Sequence, residues 1–85
     1  MQGRRLPDIG VDEYFDDRDM QPGDYVRLYG GKHWVACAPN GDLGTITTHR
    51  TTVHDDQTIT VSPSLQFETG KRWHGYLEKG IWREC

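Results

Sequence analysis

From Asp24 to the C-terminus, apolar and polar residues alternate with a period of two, the repeat of strands that bury one face. Tyr25-Val26-Arg27-Leu28-Tyr29 alternates and stops at Gly30-Gly31, and His33-Trp34-Val35-Ala36-Cys37 follows. Asn40-Gly41 then lies between apolar runs, a hairpin signal because both central residues of a type I′ turn need positive φ. A two-residue turn there predicts Val35 opposite Ile46 and Cys37 opposite Gly44. Thr45 to Val53 is Thr-rich and β-branched; it turns at His54-Asp55-Asp56-Gln57 and returns as Thr58-Ile59-Thr60-Val61. Pro63 donates no hydrogen bond to a ladder and is expected to end that pairing. Leu65 and Phe67 share a face before a turn at Thr69-Gly70-Lys71.

The last hairpin turns at Lys79-Gly80. It predicts Leu77 facing Trp82 and Gly75 facing Glu84, with Trp73 on the same side. The other side carries Tyr76 with Arg83 and His74 with Cys85. The expected strands are therefore 24–29, 33–38, 44–53, 57–61, 65–68, 72–78 and 81–85. Together they describe an all-β single domain, an antiparallel meander forming a partly open barrel or sandwich.

Residues 1–22 break the alternation and read as an acidic N-terminal arm ahead of a β domain over 23–85. Val11, Tyr14 and Phe15 have the i, i+3, i+4 spacing of one helical face, with carboxylates between them. So short a run predicts a turn of helix or an extended arm, because isolated helices are marginal below about 12–15 residues. Pro22-Gly23 punctuates its end.

Composition fits one small domain. An 85-residue chain buries only about two-thirds of its unfolded surface. Three Trp, four Tyr and two Phe offset the shortage of aliphatics, so the core should be centred on aromatics. The net charge of −3 is concentrated rather than spread. In residues 1–20, Asp8, Asp12, Glu13, Asp16, Asp17 and Asp19 stand against Arg4, Arg5 and Arg18, whereas acids and bases balance over 21–85. With a pI near 5.7, a dedicated duplex-DNA binder is disfavoured, since that task needs a net basic face. No run approaches the roughly 20 apolar residues that span a bilayer, and no leader is evident. A cytoplasmic protein with no membrane partner and reduced cysteines is expected.

Four constellations could carry chemistry. Cys37, His74 and Cys85, with His33, His49 and His54 in reserve, are the candidate zinc ligands, but no C-x-x-C or H-x3-H spacing nucleates a site. The same two cysteines could instead pair as a Cys37–Cys85 disulfide, against the reduced state that the compartment predicts. His49, His54, Asp55 and Asp56 beside Ser62 and Ser64 are a candidate hydrolytic or hard-metal cluster. No spacing holds them at the separation that catalysis requires, and no G-x-S-x-G, phosphate loop or dinucleotide fingerprint occurs. A non-enzyme without cofactor is therefore expected. Arg72, Trp73, His74, Tyr76, Trp82 and Arg83 form the aromatic-basic set that would stack unpaired bases if the aromatics lay on an open sheet face. Finally, Asp12, Glu13, Tyr14, Phe15, Asp16 and Asp17 combine carboxylates with apolar anchors, a pattern suited to a binding hot spot.

Thr58-Ile59-Thr60-Val61-Ser62-Pro63-Ser64, Trp73-His74-Gly75 and Gly80-Ile81-Trp82, with His33-Trp34-Val35 and Pro39-Asn40-Gly41, resemble a group of small, mostly actinobacterial phage and prophage proteins of uncharacterised activity. The resemblance covers roughly 24–85 and implies a phage origin and a β-rich fold. More distant proteins similar to these carry a Cys-Pro-Cys-Gly-Cys-like cluster where this chain has Cys37-Ala38-Pro39-Asn40-Gly41. Only Cys37 and Gly41 match, which argues against a metal here.

The expectation is a small, non-enzymatic phage accessory protein, monomeric or homodimeric. It would bind a host or phage protein through the acidic-aromatic arm and block a defence or regulatory component. The alternative is a nucleotide or single-stranded nucleic-acid module using the aromatic sheet. An unpaired edge at Tyr25–Tyr29 would offer a third route, self-association.

Overall fold

The computed structural model describes residues 1–28, 33–46, 49–68 and 70–85. It is all-β, with two four-stranded sheets and no closed barrel. The first sheet contains β1 (Arg4–Arg5), β2 (Asp24–Leu28), β3 (His33–Cys37) and β4 (Leu43–Thr45), in that order. The second contains β5 (Arg50–Val53), β6 (Ile59–Gln66), β7 (His74–Glu78) and β8 (Ile81–Glu84). All pairings are antiparallel except β1 with β2.

Alternation along the strands sends one set of side chains between the sheets. Tyr25, Trp34, Ala36 and Ile46 come from the first sheet and its flanks, and Ile59, Val61, Leu65, Leu77 and Trp82 from the second. Trp73 packs edge-on against Trp82 with ring centroids 5.3 Å apart, and Phe67 meets both rings. The Trp82 indole N–H donates to the Gly23 carbonyl at 2.9 Å, tying one sheet to the other.

The N-terminal segment is built into this architecture. Main-chain bonds join Met1 to Trp82 and Gly3 to Gly80, so residues 1–3 lie along the outer edge of β8. The next two residues cross to the other sheet, where Arg4 and Arg5 pair with Asp24 and Tyr25. One margin of the sandwich is thereby stitched shut. The edge of β2, expected to be free for self-association, is occupied by β1; Tyr29 itself lies outside the described residues. Arg4 also grips the buried Asp24 carboxylate with two bonds of 3.0 and 2.9 Å. Leu6, Ile9, Phe15 and Met20 then cover the outer face of the first sheet, over Val26, Leu28 and Cys37.

The acidic arm contains the expected turn of helix, but Val11, Tyr14 and Phe15 do not share a helical face. Among the described residues the helical content is one 3-10 turn at Asp17–Asp19, capped by the Asp16 carboxylate on the Arg18 N–H. Phe15 points inward while Val11 and Tyr14 point out.

The last hairpin has the expected register: Gly75↔Glu84, Tyr76↔Arg83 and Leu77↔Trp82, with Cys85 donating to the His74 carbonyl. Lys79 and Gly80 both take positive φ, as a two-residue turn requires. The β3–β4 hairpin differs by one residue. Val35 faces Thr45 and Cys37 faces Leu43. The loop is Pro39-Asn40-Gly41, closed by Gly41 N–H to the Ala38 carbonyl, with Gly41 at φ +95°. Pro39 fits the first central position of a type I turn and Gly41 the left-handed position after it, so a three-residue loop replaces the two-residue turn.

Two strand boundaries also differ. The span expected as one strand over 44–53 contains β4 and β5, which belong to opposite sheets; Thr47 and Thr48 lie outside the described residues. Conversely, Pro63 ends the pairing with β5, whose last pair is Arg50↔Ser62, as expected, but it does not end β6, which runs on to Gln66. It sits where the β6–β7 register shifts between Val61 and Leu65, and an irregularity in the ladder is a place that accommodates a residue without an N–H. The Thr69-Gly70-Lys71 turn has Gly70 at φ +64°, with Thr69 outside the described residues.

Gly75 has a separate requirement. A Cβ there would lie 2.2 Å from the Arg83 carbonyl oxygen and 2.4 Å from the Trp73 ring. Gly75→Ala is expected to destabilise by about 1–3 kcal/mol through overpacking, measurable as a lowered urea midpoint at unchanged slope.

Candidate functional site

The acidic segment is a surface loop pinned at both ends. Ile9 bridges to Leu28 in parallel fashion and donates to the Arg27 carbonyl at 2.9 Å. At the far end Phe15 and Met20 pack onto the first sheet. Between these anchors Val11 is 69% and Tyr14 85% exposed. Such exposure is the reverse of what burial of apolar area favours, and the anchors prevent the loop from collapsing to hide them.

The carboxylates divide into two groups. Glu13 accepts from the Gly10 N–H at 2.9 Å while its own N–H donates to the Gly10 carbonyl, which closes the turn before Tyr14. Asp16 holds the Arg18 guanidinium, at 2.7 Å in its shortest contact, and this contact first of all lowers its carboxyl to about 2. The side chains of Asp12, Asp17 and Asp19 make no hydrogen bond or ion pair among the described residues. The local cation is already spent on Asp16, so the loop presents uncompensated negative charge around an exposed aromatic. Of the expected contact residues, Asp12, Glu13, Tyr14 and Asp17 are on the surface, whereas Asp16 and Phe15 are half-buried and serve the loop itself.

The aromatic-basic set is split by the sheet. Trp73 and Trp82 are 4% and 2% exposed and form the core, so they offer no platform for bases. Arg72, His74, Tyr76 and Arg83 are exposed. Arg83 lies over the Tyr76 ring at 5.6 Å and pairs with Glu78, and the Ser64 hydroxyl lies 3.2 Å from His74 Nε2. A serine and a histidine at that distance could begin a nucleophile–base pair. Among the described residues, however, no third group holds the His74 ring.

The hairpin-tip cluster resolves into a satisfied turn. Asp56 accepts from the N–H and hydroxyl of Thr58, the hydroxyl bond first in holding its carboxyl below the ordinary range. Thr60 Oγ1 accepts from the Lys79 N–H at 2.9 Å and is hydrogen-bonded to His54 Nε2 at 2.7 Å. His54 and Asp56 thus bond to separate threonines, Asp55 and Ser62 face solvent, and His49 lies elsewhere, between β4 and β5.

The candidate zinc ligands are not brought together. Cys37 is buried in the first sheet beneath the N-terminal segment, while His74 and Cys85 lie on the surface of the second, and both thiols are free. Burial pushes the Cys37 thiol up, with Asp24 and Asp42 adding to it, which disfavours the thiolate a metal requires. His33 is exposed at the start of β3. Among the described residues no three His, Cys, Asp or Glu side chains cluster as a metal site, and no helix is long and apolar enough to cross a membrane.

One structural residue carries no sequence motif. Asp42 is 8% exposed and accepts from the main-chain N–H groups of Lys71 and Trp73 at 3.0 and 3.1 Å, and from Asn40. It holds the 70–73 turn against the β3–β4 loop. A carboxylate two residues after an Asn in a turn is an available signal, but its partners lie about thirty residues away. Comparison with protein-family models, with curated sequences and with solved structures returned no match to this chain.

Proposed function

We propose that this protein is a non-catalytic binding protein whose contact element is the loop from Val11 to Asp19, and that its partner is a host or phage protein with a basic surface. The observation that carries this is the combination of Tyr14 and Val11, largely exposed to solvent, with a loop whose ends are locked. A preorganised loop loses little entropy on docking, and a central aromatic ringed by charge matches how binding energy concentrates in protein interfaces. Asp12, Asp17 and Asp19 would steer approach to a basic partner, which makes association salt-dependent. The resemblance to phage proteins supports an accessory role in a host cytoplasm, where blocking a defence or regulatory component is one use for such a loop. The nucleic-acid alternative is the weaker, because two of its three aromatics lie in the core.

Photo-crosslinking tests this directly. With benzoylphenylalanine replacing Tyr14, one discrete crosslinked species is expected in lysate of the native host. The yield should fall when Asp12, Asp17 and Asp19 are changed together to Asn, and fall with added salt. Equal crosslinking from a probe at Tyr76, or indifference to the three carboxylates, would remove the loop as the contact element.

A further inference from the structure

Asn40 is the chain's single asparagine, and a glycine follows it. Asparagine before glycine is the pair most prone to deamidation, because without a Cβ the glycine nitrogen is open to attack the neighbouring side-chain amide. In the folded loop both reacting groups are held. The Gly41 N–H donates to the Ala38 carbonyl at 2.8 Å. The Asn40 amide is gripped at both ends by Asp42: Oδ1 accepts from the Asp42 N–H and Nδ2 donates to Asp42 Oδ2, each at 3.0 Å. Asn40 and Gly41 are nevertheless exposed, and no atom of the described residues lies within 4 Å of the place a Gly41 Cβ would occupy, so water reaches the pair.

The same amide supports a carboxylate that holds a distant part of the chain. Asp42 takes the Lys71 N–H on Oδ1 at 3.0 Å, and its Oδ2 is shared between Asn40 and the Trp73 N–H, the latter at 3.1 Å. Exchanging the Asn40 amide nitrogen for an oxygen anion would face two carboxylates where a donor now meets an acceptor at 3.0 Å. Two carboxylates sharing a site cannot both ionise without cost, and the buried one must stay ionised to keep accepting from main-chain N–H groups. Lys71 and Arg72 border the same groove, but both are exposed and screened by water.

We propose that Asn40 is a deamidation site that works as a one-way switch: the folded loop holds the reaction back, and the carboxylate it produces loosens the 70–73 turn from Asp42. Hydroxide takes the Gly41 amide proton, and the nitrogen attacks Asn40 Cγ to close a five-membered imide. The Cγ–Nδ2 bond breaks, and Nδ2 takes a proton from water and leaves as ammonia, which regenerates the hydroxide. Water then opens the imide at either of its two carbonyls, leaving aspartate or isoaspartate at position 40. Water is the one co-reactant consumed, and nothing is oxidised or reduced. The loop must first open, since Gly41 has to release Ala38 and the amide has to release Asp42 before nitrogen and Cγ can meet. The isoaspartate product also adds a methylene to the main chain of a three-residue loop whose length sets the hairpin register.

The test ages the whole protein in mildly alkaline buffer, folded or unfolded in urea, and follows position 40 by peptide mass spectrometry. Folded protein is expected to deamidate at least about tenfold more slowly than unfolded protein, the factor set by a local opening of about 1.4 kcal/mol. The aged, more acidic species is then separated by anion exchange and its amide hydrogen exchange compared with fresh protein. Exchange at Lys71 and Trp73 should speed up roughly tenfold, while the β7–β8 hairpin keeps its protection. Asn40→Asp should reproduce that pattern at neutral pH. Asn40→Ser, which removes the amide without adding charge and cannot deamidate, should stay close to fresh wild type. Equal rates in folded and unfolded protein would overturn the restraint. Unchanged protection at Lys71 and Trp73 after ageing, or an equal loss in Asn40→Ser, would overturn the switch.

Discussion

Trp82→Ala is expected to remove about 3–5 kcal/mol of folding stability, the usual cost of emptying a buried tryptophan site. A domain of this length has roughly 4–13 kcal/mol in total, so the variant should lose a large share of its stability and unfold at a much lower urea concentration. Three things fail together. The rings of Trp73 and Phe67 lose their shared neighbour. The Gly23 carbonyl loses its indole donor inside the structure. Residues 1–3 lose the side chain beneath them, since Gly3 sits so close to the indole nitrogen that an added Cβ would lie 2.8 Å away. Trp82→Phe separates these terms: it restores most of the packing but leaves the carbonyl unpaired, and should cost about 1–3 kcal/mol. Urea denaturation followed by far-UV dichroism ranks the three proteins. Near-equal midpoints for wild type and Trp82→Ala would mean that the inter-sheet aromatic cluster does not hold the fold.

Asp42→Asn is expected to lower the thermal midpoint strongly at neutral pH and progressively less in acid. The carboxyl of Asp42 is held below the ordinary range, chiefly by the Lys71 N–H, with Asn40 and Trp73 assisting. A depressed folded value means the carboxylate stabilises the fold fully above its unfolded value of about 4. That contribution is lost as the pH falls through the folded value. Asp16 and Asp56 shift in the same direction, so wild type should lose stability steadily below about pH 4. The amide variant turns N–H groups toward main-chain N–H groups and has no charge to lose. Its midpoint should therefore vary less with pH, and the gap to wild type should narrow between pH 5 and pH 2. A constant gap across that range would show that the shape of the side chain, and not its charge, fixes the 70–73 turn.

The candidate binding loop shows how far the sequence alone could reach. Carboxylates gathered around Tyr14 were visible, but not which aromatic would face outward. The i, i+3, i+4 spacing treated Val11, Tyr14 and Phe15 alike, and the first sheet took Phe15 alone because its apolar outer face needed a cover.

Period-two alternation and local turn chemistry determined that this chain is all-β. They also fixed the closing hairpin, because Lys79-Gly80 sets register within a few residues. Only tertiary structure decided that residues 1–5 bridge both sheets, that Pro63 rides through a strand, and that Trp73 and Trp82 are core and not a ligand face. The reason is the range of the forces involved. Periodicity and turns act between near neighbours and can be read in order. Which of two apolar faces meets which partner depends on burial between segments far apart in the chain, and that is settled when the whole molecule closes.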